Sequence, residues 1–214
     1  MGGGAVEGAL RSASGAPGLK LIETMLWDGR AIPRLPLHLA RLGAGAAALG
    51  WSAPAAAVHA ALAGTAFPDH PARLRLTLAA AGQMELETGP LPVAKPVWRL
   101  GLAAERLRSD DPWLKVKSTR REVYDKARAN LPEGLDEVIF LNERDEVCDG
   151  TITTLFFDRG QGMRTPPLAC GLLPGVLRAE LACPEDVLRP GELPQVRLWV
   201  GNALRGLMPA VWLG

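Results

Sequence analysis

The sequence predicts an α/β (α+β) fold in two lobes. Three observations lead there: strand-like and helix-like stretches intermingle, a proline-rich break falls near the middle, and no segment repeats. Leu19 to Trp27 is apolar enough for a strand, Asp28-Gly29 supplies a turn, and Arg30 to Leu35 is expected to return as a second strand. Pro36 suits the first turn of a helix, Leu37 to Leu49 carries apolar residues at helical spacing, and Gly50 stops it. An alanine-rich helix, Pro54 to Leu62, ends near Gly64. In Arg73 to Leu78, Arg73, Arg75 and Thr77 alternate with Leu74, Leu76 and Leu78, the signature of a half-buried strand, and Met84 to Glu87 pairs back after Gly82.

Gly89 to Pro96 holds three prolines in eight residues and reads as a linker. Trp98 to Ala103 opens the second half, and a helix is expected over Ser118 to Asn130, with Glu122 four residues before Lys126. Strands are expected at Asp136 to Leu141, Glu146 to Cys148, Leu155 to Phe157 and Val196 to Val200, with a tight turn at Arg144-Asp145 and a short helix over Val176 to Ala182. The domains that follow are a glycine- and alanine-rich flexible tail over 1–17, a small lobe over 18–88, the linker over 89–96 and a larger lobe over 97–214. A ligand cleft between two such lobes is the expectation.

Composition narrows the function. With 24 basic and 23 acidic residues the net charge is +1, which gives no reason to expect nucleic acid or an anionic membrane as partner. No stretch is apolar enough to span a bilayer, and the N-terminal segment lacks the basic start and apolar block of a secretory signal. Cys148, Cys170 and Cys183 show no CxxC spacing, as free thiols of a cytoplasmic protein would. His59 and His70 form no metal-ligand spacing, so no metal is expected, and the absence of a Gly-x-Ser-x-Gly elbow counts against a serine hydrolase.

The candidate chemistry begins with Lys117, at the junction between an extended run and the expected helix. An amine there can face a cleft, and desolvation with nearby Arg120 or Arg121 would make it a better nucleophile toward an aldehyde. Most lysines are surface groups, and Lys115 on the same run is the competitor. Gly171 to Gly175 bends the chain into a helix start, where the amides of Val176 and Leu177 suit a phosphate. Glycine-rich turns before helices are common without any ligand. His38 and Arg41 share a helix face and suit an anion, or simply a solvated surface. Asp149 suits a protonated pyridine nitrogen, with a plain turn aspartate as the alternative.

The order of these pieces carries more than any one of them. Glu23-Thr-Met25, His38-x-x-Arg41-Leu42, Lys117-Ser-Thr-Arg-Arg121 and Asp136-Glu-Val-Ile-Phe-Leu-Asn-Glu143 come first. Asp149-Gly-Thr-Ile-Thr-Thr-Leu-Phe156, Thr165-Pro-Pro, Gly171-Leu-Leu-Pro-Gly-Val-Leu-Arg178 and Gly201-Asn-Ala-Leu-Arg205 follow. The series resembles the class IV aminotransferases from about Leu19 to Pro209, nearest to their aminodeoxychorismate lyase branch, with branched-chain and D-amino-acid transaminases as cousins. The resemblance implies a fold-type IV homodimer holding pyridoxal 5′-phosphate between its lobes. Lys117 would carry the cofactor as a Schiff base and move the proton between Cα and C4′. Arg41 would bind the phosphate with the amides of Val176 and Leu177, and Asn202 and Ala203 match a second phosphate loop. Asp149 stands where the family has a glutamate facing the pyridine nitrogen, one methylene shorter, and Thr154 stands where asparagine is usual. Glu122 replaces the tyrosine that branched-chain transaminases place five residues beyond the lysine, while the lone tyrosine is Tyr124. The span from Ala182 to Val196 is shorter than in relatives.

Three functions remain open at this point. The first is elimination of pyruvate from aminodeoxychorismate to give 4-aminobenzoate, with Arg75 binding a substrate carboxylate and Arg73 on the same face. The second is transamination of a small branched-chain or D-amino acid, and the third is a homologue that no longer turns over.

Overall fold

The computed structural model describes residues 8, 10–52 and 55–214. It divides into two compact units, one built from the described residues up to Val93 together with Pro112–Arg120, the other from Ala94–Asp111 and Arg121–Gly214.

In the first unit, β1 (Lys20–Trp27), β2 (Ala72–Ala79) and β3 (Met84–Gly89) form an antiparallel sheet in that order. Leu74, Leu76 and Leu78 alternate with polar neighbours along β2, and all three are buried. Each stabilises the unit by roughly 1.5–3 kcal/mol relative to exposure. Helix α1 (Leu35–Leu49) has Pro36 in its first turn and ends on Gly50, whose amide donates to the carbonyls of Ala46 and Ala47. It buries His38, Leu42, Ala46 and Leu49, and all but His38 join Leu21, Met25 and the β2 leucines in one core. Helix α2 (Ala55–Ala63) adds Val58 and Leu62.

Arg30 to Leu35 is not a strand. Asp28 Oδ1 accepts both the Arg30 and Ala31 amides at 2.8 Å, closing a side-chain turn, and β2 takes the place beside β1. The expected tail over 1–17 lies partly outside the described residues. Of the rest, residues 10–13 are helical, and Leu10 is buried in the first core.

In the second unit, β4 (Trp98–Leu107), β5 (Glu137–Asn142), β6 (Val147–Gly150), β7 (Thr154–Asp158), β8 (Arg197–Asn202) and β9 (Gly206–Trp212) form one sheet in the order β6-β5-β4-β9-β8-β7. The β4–β5 and β4–β9 pairs are parallel and the other assigned pairs antiparallel. The β5–β6 hairpin turns at Asp145, whose φ of 57° is left-handed. Helix α3 (Glu122–Ala129) packs on β4 and β5, and α4 (Val176–Leu181) on β8. Leu100, Ile139, Leu155, Phe157, Leu188 and Val200 form the centre of its core.

Helix α3 starts at Glu122, not at Ser118, because the preceding residues are recruited as an extra edge on β1. The Ile22 amide donates to the Lys117 carbonyl at 2.9 Å, Ser118 bridges Leu21, and the Thr119 amide donates to the Lys20 carbonyl at 2.8 Å. Held in an extended ladder with β1, these residues do not take the helical φ and ψ that a first turn needs. The same bonds make Lys117 part of the first unit, where the sequence assigns it to the C-terminal lobe.

Candidate active site

Two lysines compete for the reactive role, and exposure separates them. Lys115 is exposed, whereas Lys117 is half-buried between buried Val116 and Ser118. Its backbone is fixed at Ile22, one residue before Glu23 on β1.

Glu23 is itself buried at 2 % exposure. Its Oε1 accepts from Arg41 Nε at 2.8 Å, and its Oε2 accepts from Arg41 Nη2 at 2.6 Å. His38 Nδ1 lies 2.6 Å from the same Oε2. Burial works to raise the Glu23 carboxyl, but the bonds from Arg41 and His38 outweigh it and hold the group ionised below its ordinary range. The sequence places His38 and Arg41 on one helix face; the structure shows that they share a carboxylate from the neighbouring strand. An acidic residue between Ile22 and Met25, in a run otherwise fit for burial, is the signal that marks Glu23.

In the second unit Asp149 is 5 % exposed on β6. Its Oδ2 accepts the Leu173 amide at 3.2 Å, and Tyr124 O–H reaches Oδ1 at 3.5 Å. Burial, and then the Asp149 charge, push the Tyr124 hydroxyl far above its ordinary pKa, so it stays a donor. The Leu173 bond ties the loop before α4 to β6. At the start of α4, Gly175 has no side-chain cap, and a Cβ there would meet Thr154 Oγ1 at 2.6 Å. A Cβ on Gly201 would meet Leu177 at 2.5 Å and the Gly206 carbonyl at 2.8 Å. Gly201 thus lets the strand that leads into the Asn202–Ala203 turn pack against Leu177, and Gly175 lets the start of α4 approach Thr154 on β7. Asn202 Oδ1 accepts the Leu204 and Arg205 amides, which fixes the second turn.

Glu137, named in the sequence without a role, supports this region. It is fully buried; Oε1 accepts Thr151 Oγ1–H at 2.6 Å, and Oε2 accepts the Ile152 amide at 3.2 Å and Thr153 Oγ1–H at 3.0 Å. Arg75 lies half-buried on β2 between Thr24 and Glu87 of the flanking strands, and Arg73 shares its face with a buried Nε that has no acceptor. Among the described residues no cluster of three or more His, Cys, Asp or Glu is arranged to hold a metal, and no helix is long and apolar enough to cross a membrane.

The family model for amino-transferase class IV matches residues 20–211. The chain belongs to the class IV aminotransferases. It is 41% identical to a crystal structure of a protein from Mesorhizobium loti provisionally named an amino-acid aminotransferase, with a TM-score of 0.83 over 91% of this chain and 100% of that one. A Schizosaccharomyces pombe protein provisionally named aminodeoxychorismate lyase is 31% identical over 75% of this chain and 72% of its own length. A hypothetical aminotransferase from Mycobacterium tuberculosis, solved in its PLP-bound form, is 22% identical and shares the fold with a TM-score of 0.75, covering 94% of this chain and 84% of that one. The enzymes of this family depend on pyridoxal 5′-phosphate, and the fold is fold-type IV, as the sequence predicts.

Proposed function

We propose that this enzyme holds pyridoxal 5′-phosphate on Lys117 and eliminates pyruvate from 4-amino-4-deoxychorismate to give 4-aminobenzoate. The observation that carries the reading is the half-buried Lys117, pinned by its backbone to β1 next to the Glu23–His38–Arg41 cluster, while Lys115 faces water. The residues also fit the cofactor chemically. Asp149 is a buried carboxylate oriented by Leu173 and Tyr124, which suits a cationic ring N–H. The start of α4 and the Asn202–Ala203 turn, with Gly201 packed against Leu177, suit a compact anion.

When bound, the cofactor supplies an electron sink at the carbon bearing the substrate's amine. Lys117 Nζ is the attachment amine and moves the proton at that carbon. Phosphate binding falls to Arg41 and to the amides of Val176 and Leu177 by the family resemblance, which also assigns Asn202 and Ala203 to it. Asp149 keeps the ring nitrogen protonated, its shorter side chain held in place by the Leu173 amide and the Tyr124 hydroxyl. Arg75 takes a substrate carboxylate. Glu122, in place of a tyrosine, supports the lyase over a branched-chain transaminase. The enzyme would act as a cytoplasmic homodimer, with a small amine or amino acid as its substrate.

The Mesorhizobium loti likeness favours a second reading, transamination of an amino acid. Borohydride reduction and peptide mapping test the shared part: label on Lys117 is expected, and label on Lys115 alone or on no lysine refutes it. Pyruvate release from aminodeoxychorismate then separates the two. Its absence, together with a half-reaction on a small amino acid, selects the transaminase; absence of both leaves the non-catalytic homologue.

A further inference from the structure

Glu23 has no role in the chemistry just described, yet it is among the most buried ionised groups of the first unit. Strand alternation places it on the same face as Leu21 and Met25, both buried core residues. An apolar side chain there would serve packing at least as well, because a buried ion pair is commonly no more stabilising than well-packed apolar residues of similar volume. A charge kept in that position therefore needs a reason other than stability. The geometry supplies one. Glu23 engages Nε and Nη2 of Arg41 with different oxygens, at 2.8 and 2.6 Å, which fixes the plane of the guanidinium as a single bond would not. His38 Nδ1, 2.6 Å from Oε2, fixes the carboxylate in turn. Both His38 and Arg41 project from α1, so the cluster also locks the helix to β1 at this level.

We infer that Glu23 is a positioning residue for anion recognition, which orients the Arg41 guanidinium so that it grips a phosphate monoester, with His38 steadying Glu23. The inference rests on the reading that Arg41 contacts the cofactor's phosphate. An oriented fork has less side-chain freedom to lose on binding than one swinging in solvent, so its loss falls on phosphate affinity and not on the aldehyde's attachment.

Two probes isolate that term: pyridoxal 5′-phosphate and pyridoxal, which carries the same aldehyde without the phosphate. The whole 214-residue chain, freed of cofactor, is titrated with each, and binding is read from the shift in probe absorbance. The parent chain is expected to prefer the phosphorylated probe strongly. Glu23→Gln is expected to cut that preference about tenfold, equivalent to about 1.4 kcal/mol, while pyridoxal affinity stays within about twofold. Arg41→Gln is expected to cut it as far or further, and adding Glu23→Gln to Arg41→Gln is expected to change nothing more. An undiminished preference in Glu23→Gln overturns the inference, as does an equal fall in both affinities, the mark of a purely structural residue. Should Glu23→Gln not fold, Glu23→Asp carries the test: it keeps the charge but withdraws the oxygens, and an undiminished preference there is equally fatal. A parent chain without preference, or an Arg41→Gln variant that retains it, would instead bring down the assignment of Arg41 to the phosphate.

Discussion

Replacing Glu137 by alanine tests whether one carboxylate organises the turn that follows Asp149. The side chain is fully buried and accepts the Thr151 hydroxyl, the Ile152 amide and the Thr153 hydroxyl. Thr151 and Thr153 are themselves buried, so donors deprived of Glu137 have little access to water. Hydrogen bonds to a charged acceptor contribute about 1.5–3 kcal/mol each, and a donor stranded in the interior costs about 1–3 kcal/mol. Because the hydroxyls can rotate toward other acceptors, we take a loss near the lower end for each and expect roughly 3–5 kcal/mol in all. For a chain of this size that lowers the melting temperature by about 10 °C. Glu137→Gln should cost less, about 2 kcal/mol, since one amide oxygen remains an acceptor while the new NH₂ confronts donors. Urea titration followed by tryptophan fluorescence measures both. A Glu137→Ala variant within about 0.5 kcal/mol of the parent, the range of an ordinary surface substitution, would refute the argument.

Three further outcomes follow from single features. Gly175→Ala places a methyl 2.6 Å from Thr154 Oγ1; it should cost about 1–3 kcal/mol, and Thr154→Ala in the same chain should restore most of the melting temperature. Glu146 sits at about 2 instead of 4.5, chiefly because Arg144 and then Asn142 donate to it. A depressed carboxylate stabilises the fold above its unfolded value, so this contribution should be intact above about 4.5 and fade as pH falls through about 2. Urea midpoints across that window should decline, and Glu146→Gln should flatten the decline. Asp28→Ala removes the acceptor of the Arg30 and Ala31 amides, and should lower the melting temperature slightly with cofactor binding unchanged, by parallel melting and absorbance titration.

Local periodicity made much of this fold legible. The alternation in β2 and the Pro36-to-Gly50 limits of α1 are both written in residue type, and the structure reproduces them. Apart from the local Asp28 turn that replaces the expected strand over Arg30 to Leu35, what failed depended mostly on distant partners. Lys117 to Thr119 looked like the entry to a helix because nothing local reveals that β1 claims their backbone. No strand is expected after Val200 from the sequence, yet β9 forms with Pro209 inside it; Pro209 faces Trp199 of β8, and the register with β4 begins only at Ala210, so its missing donor is spared on that side. The motif order pointed to Lys117, Arg41 and Asp149, but their supports, Glu23, Tyr124 and Glu137, depend on contacts of long sequence separation. For Glu137 a clue was present: an acidic residue heading the run Val138-Ile-Phe-Leu141 must find donors if it is buried.

The way the larger sheet is joined bears on how the chain comes to be folded. β6-β5-β4 and β9-β8-β7 are each triplets, and they meet through one short parallel ladder, Trp98 with Ala210 to Leu100 with Trp212. That seam links segments more than a hundred positions apart, so closing it loses the most chain entropy and should come late. Until the residues near 212 leave the ribosome, the seam edge of β4 has no mate there. Nascent chains halted short of that point should be the ones that chaperones hold and proteases remove.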